Sequence, residues 1–177
     1  NDELLDIYTL DMLPKDNKRQ KLLFNSDNYE YYNNVVSAGF YHQLNRNMLH
    51  LNNGDGTFSD IGQFAGISNT DWSWSPLIAD FDNDGKKDIF VTNGFRRDIT
   101  NRDFIKYYVD AMLKEAKGNK EQKMLEMLKG VKVTPLHNYI FKNEGNLTFS
   151  DHSKDWGFDA LGFSNGAAYA DLDNDGD

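Results

Sequence analysis

The chain has 177 residues, a formal net charge of −9 and no cysteine. Thiolate metal sites, disulfide scaffolds and cysteine nucleophiles are therefore excluded, and nucleic acid, which needs a basic face, is a poor partner. No apolar run approaches the roughly 18 residues of a membrane span, and an aromatic content of 14 % is too high for a disordered acidic tail.

Residues 2–8 hold three carboxylates, Asp2, Glu3 and Asp6, followed by Ile7 and Tyr8. Residues 12–46 are polar and rich in Tyr and Asn, an irregular segment with some helical character. A short strand is predicted over 48–51. The hairpin turn that follows, Asn52 to Gly56, is built of residues that accept positive φ, and Thr57 and Phe58 open its return strand. Strands over 74–79 and 89–92 flank an acidic loop, the second being β-branched and aromatic. From Thr100 to about Lys129 the pattern turns helical: Phe104, Ile105, Tyr108, Val109, Met112 and Leu113 fall on one face. Thr100 reads as the N-cap with Asp103 at the third helical position, and Gly118 and Asn119 separate a second short helix. Strands over 139–142 and 166–170 and a return strand opened by Thr148 and Phe149 complete the list.

The acid is concentrated in two places. Asp80, Asp82 and Asp84 alternate, Gly85 takes the sixth place and Asp88 the ninth; Asp171, Asp173, Asp175, Gly176 and Asp177 repeat the pattern. Alternating carboxylates before a turn Gly describe a loop that wraps a hard cation in oxygen ligands. Packing like charges so closely is unfavourable without a neutralising ion, and Ca²⁺ suits the donors. The expected ligands are the side chains of Asp80, Asp82, Asp84 and Asp88 with the Lys86 carbonyl, then Asp171, Asp173 and Asp175 with the Asp177 carbonyl. A solvated acidic turn is the plainer alternative, disfavoured by the completeness of the pattern. An EF-hand is disfavoured too: its twelfth position needs a bidentate Glu and stands here as Val91, and a strand follows where a helix is required.

The sequence repeats itself. Residues 47–86 align without a gap on 138–177 at an offset of 91, with 15 identities in 40 positions. A partial third copy overlays residues 2–8 on 84–90, with Glu3 in place of the turn Gly, which leaves Asp2 and Asp6 weak candidates for a metal. Removing about 40 helical residues from the period leaves a blade-sized unit. The expected organisation is the tail of a repeat over 1–11, an insertion over 12–46, a blade over 47–97, a helical insertion over 98–137 and a second blade over 138–177. Beginning inside one loop and ending inside another, the chain reads as a piece of a longer array.

With residues 53–58, 79–89 and 163–176 as its evidence, the chain resembles the FG-GAP/VCBS repeat family, whose blades also build the integrin α-subunit head. The resemblance covers about half the chain and neither insertion. It implies a mainly β fold, part of a β-propeller of antiparallel four-stranded blades, here about two with parts of others and an α-helical insertion. It also implies Ca²⁺ in the inter-strand loops, an extracellular, periplasmic or cell-surface setting, and neighbouring blades of the same chain as partners. Two functions fit: a module that binds a glycan or protein ligand or serves as scaffold, and part of a calcium-dependent polysaccharide-processing enzyme such as a propeller-fold lyase. Lyase chemistry needs a placed base, and none of His42, His50, His137 and His152 sits in a motif with a partner. Trp72 and Trp74 invite a sugar-stacking reading but fit the core of a strand better.

Overall fold

The computed structural model describes residues 3–23, 29–114 and 120–170. In chain order its elements are β1 (Ile7–Thr9), α1 (Asn17–Leu23), α2 (Tyr29–Ser37), β2 (Met48–Asn52), β3 (Phe58–Asp60), β4 (Ser73–Ala79), β5 (Asp88–Asn93), α3 (Arg102–Lys114), α4 (Lys120–Gly130), β6 (Tyr139–Gly145) and β7 (Thr148–Asp151). The fold is mainly β, with two antiparallel sheets in the orders β1-β2-β3 and β4-β5-β6-β7. These are propeller-like blades, neither closed into a ring.

The chain divides into two compact units. The first gathers residues 1–15, 45–95 and 135–177 and contains both sheets; the second gathers 16–44 and 96–134 and contains the helices.

Within the sheets, the predicted hairpins form where turn residues separate apolar alternation. β6 and β7 meet in a two-residue turn in which Asn146 (φ 50°) and Leu147 (φ 61°) both take positive φ, the geometry that matches strand twist. Every residue of β5 is buried, as a central strand covered on both faces requires. Ile89 and Val91 point to one face and join Tyr8, Leu49, Ala65, Ile67, Tyr139 and Phe141 in the core, where the rings of Tyr139 and Phe141 lie parallel with centroids 5.5 Å apart.

The internal repeat is repeated in the hydrogen-bonding register. Ile7 faces His50 and Tyr8 faces Leu49; shifted by 82 and 91 residues, these become Ile89 facing Phe141 and Phe90 facing Ile140. His50 opposite Asp60 likewise becomes Phe141 opposite Asp151. The turn after the hairpin follows suit: Ile61 N donates to Leu49 O, His152 N to Ile140 O. β1-β2-β3 and β5-β6-β7 are thus the same three-stranded motif. The sheet is phased differently from the sequence repeat, because β4 and β5 pair across the helical insertion with β6 and β7 rather than with β2 and β3. Both insertions leave the motif at the same connection, β1 to β2 in one copy and β5 to β6 in the other.

In the helical unit Arg19 of α1 reaches Asp98 at 2.8 Å, a pair with little solvent exposure that ties the two insertions to each other. Two predicted details change. The N-cap of α3 is Asn101, whose Oδ1 accepts from the amides of Asp103 and Phe104, while the Thr100 hydroxyl is committed to Asp98 Oδ1. Residues 166–170, predicted as a strand, form no ladder. The equivalent strand β4 is held by β5, the segment after its loop.

Candidate metal centre

Residues 80–87 connect β4 to β5, so the acidic loop lies between antiparallel strands. The turn is made by Asn83 (φ 55°) and Gly85 (φ 85°); a Cβ on Gly85 would meet nothing within 4 Å, so conformation rather than space asks for glycine there. Asp80 holds the turn from within, accepting from Asp84 N at 3.1 Å and Gly85 N at 2.8 Å. Asp88, wholly buried at the start of β5, closes the loop by accepting from Phe81 N at 3.1 Å and Asn143 N at 2.8 Å.

Of the predicted ligands, Asp80, Asp82 and Asp88 are brought together, with carboxylate oxygens within 4.8 Å of one another. Asp84 stands outside that group. Its carboxylate takes Lys142 Nζ at 3.1 Å, Lys86 N at 2.9 Å and Lys86 Nζ at 3.1 Å. Lys142 first, then the amide and ammonium of Lys86, hold Asp84 at about 2. Lys86, expected to offer its carbonyl, turns its amide and ammonium to Asp84. Asp171, Asp173, Asp175 and Asp177 lie outside the described residues.

Two residues of β6 complete the centre, and neither was expected from the sequence. The ammonium of Lys142 also contacts Asp82, so a cation already sits against the loop. Asn143 donates from its amide to Asp88 and from its side chain to Lys87 O at 3.0 Å. Asn52 does the same in the first copy, with its amide on Asp6 and its side chain on Leu5 O. Asn143 was findable, since Asn52 and Asn143 are identical in the 91-residue alignment; Lys142 aligns with Leu51 and left no such signal. Three converging carboxylates form an all-oxygen donor set fit for a hard divalent ion, and Lys142 marks where positive charge is favoured.

The other candidates are dispersed. His42 meets Tyr32, His137 bonds Asn138 O at 2.8 Å, and His152 lies 3.6 Å from Asp155 and 3.8 Å from Glu144. Trp72 stacks on Phe95 at 4.3 Å, and Trp74, half exposed, donates its indole N–H to Gly94 O.

Repeated antiparallel motifs in one register, joined to an acidic loop between strands, define a β-propeller-type repeat module. The family model described as FG-GAP-like repeat matches residues 1–91, from the first motif through the acidic loop into β5, and the chain belongs to that family. No curated protein and no solved structure matches it. No helix among the described residues is long and apolar enough to cross a membrane.

Proposed function

We propose that the chain is a calcium-stabilised repeat module of an extracellular, periplasmic or cell-surface protein, acting in ligand binding, adhesion or as scaffold. The observation that carries the reading is the convergence of Asp80, Asp82 and Asp88 at the mouth of the β4–β5 hairpin. Ca²⁺ there, with Asp84 and the Lys86 carbonyl as the remaining donors of the loop, would neutralise charge that the β4–β5 pairing crowds together. In the second loop Asp171, Asp173, Asp175 and the Asp177 carbonyl are the corresponding donors. The ligand of the module is a glycan or a protein. The insertions, which leave the motif at one and the same connection, are the parts that differ from the minimal repeat and hence the recognition elements of this proposal.

Thermal melting with and without chelator tests the metal. An ion that binds only the folded chain stabilises it by about 2.7 kcal/mol at a hundredfold excess over Kd, which raises the midpoint by about 5–10 °C for a chain of this size. Asp82→Ala is expected to lose most of that gain. A midpoint indifferent to Ca²⁺ in the parent chain would overturn the reading.

A further inference from the structure

We propose that Lys142 is a built-in competitor for the calcium loop, so that metal binding requires its ammonium to leave Asp82. The inference rests on the calcium reading above and concerns how that same site is regulated.

Asp82 has two claims on it. It is one of the three carboxylates whose oxygens converge within 4.8 Å, and it is the partner of Lys142 Nζ. An ammonium and a divalent ion cannot share one carboxylate at contact distance without strong mutual repulsion, whichever oxygen each takes. Lys142 reaches Asp84 as well, at 3.1 Å, so the same ammonium stands against a second carboxylate that the loop would offer the ion. The device is specific to this copy. By strand register Lys142 on β6 corresponds to Leu51 on β2, where the side chain carries no charge. The neighbouring Asn143 makes the same two contacts as Asn52, so the backbone is alike at this point of the two copies while the side chain beside it changes from neutral to charged. With its ammonium on the loop the apo hairpin is already partly neutralised, and the site answers to calcium at a higher concentration than its donors alone would set. β6, which carries the lysine, is tied to β5 through its own ladder, so occupation of the loop is felt one strand away.

The test is calcium titration by isothermal calorimetry of the 177-residue chain and two variants. Lys142→Leu places in β6 the residue that β2 already accommodates, and Lys142→Arg keeps the charge. Lys142→Leu is expected to bind Ca²⁺ about tenfold more tightly than the parent, and Lys142→Arg within about twofold of it. Unchanged or weaker binding by Lys142→Leu, or equal tightening by both variants, would overturn the competition while leaving the calcium site standing. Absence of calcium binding in the parent and both variants would overturn the site and the competition together.

Discussion

The first sheet, β1-β2-β3, and the last three strands of the second, β5-β6-β7, share their pairing register, their hairpins and the turn that follows, yet differ in how much of each is buried. β1 shows only its middle residue to the core, whereas β5 is buried from end to end. The carboxylate that begins each motif shows the consequence. Asp6 and Asp88 both accept the amide of the equivalent Asn, but Asp6 is exposed and Asp88 wholly enclosed beneath β4 and β6. A motif repeated in sequence therefore acquires different energetics according to whether a fourth strand covers it. Conserving the register costs little; enclosing the polar start of the strand makes it matter.

The sharpest break in the symmetry is at Gly94, just after β5, where the first copy has Met12. A Cβ on Gly94 would lie 2.3 Å from Phe163 Cα and 2.7 Å from Ser164 N, and its φ of 153° is one that side chains rarely adopt. Backbone cannot give way as a side chain tip would, so Gly94→Ala is expected to cost about 3 kcal/mol in urea unfolding. The loss should be matched by weakening of the Ser164 N to Asn93 O bond in amide exchange. An alanine tolerated at no cost would mean that residues 163–164 do not pack against β5 as described.

A somewhat smaller loss separates the two carboxylates. With chelator present, so that metal plays no part, Asp88→Ala leaves the amides of Phe81 and Asn143 without their acceptor in a covered place, and about 2 kcal/mol is expected. Asp6→Ala frees the Asn52 amide to water and is expected to cost about 0.5 kcal/mol. Equal losses at the two positions would refute burial as the source of the difference.

What was legible in the sequence was what short segments encode by themselves. Alternation and turn residues marked the hairpins at Asn52–Gly56 and near Asn146, and the β-branched run Ile89–Thr92 marked a strand where an EF-hand needs a helix. The alternating carboxylates marked a loop that does gather Asp80, Asp82 and Asp88. Illegible was whatever depends on a distant partner. β5 pairs with β6 across more than forty residues of helical insertion, a choice no local pattern records. Residues 166–170 have strand composition but pair with no strand among the described residues. Thr100 and Asn101 are both good caps, and the choice fell to Asn101 because Asp98 takes the threonine hydroxyl. Lys142 reads in sequence as one more polar residue of a strand; only the register places its ammonium on the loop of another hairpin.

The smallest expected effect concerns the far end of the two hairpins, where Asp60 pairs with Arg46 and Asp151 with Lys15, both at 2.9 Å. At Asp151 partial burial opposes the charge, but the hydroxyl and amide of Ser153 and the Lys15 ammonium together outweigh it and leave the carboxyl below its ordinary value. A carboxyl lowered in the folded state contributes stability that is present above its unfolded value of about 3.9 and is lost as pH falls through the lower native one. Lys15 is well exposed, so Lys15→Met is expected to cost only about 0.5 kcal/mol at pH 7. Because the missing partner matters only while Asp151 is charged, parent and variant should converge as pH drops from 5 toward 3, which urea unfolding at stepped pH would resolve. A deficit of the same size throughout would show that Lys15 acts by its packing over the Tyr139 ring, 5.7 Å from the ammonium, rather than by its charge on Asp151.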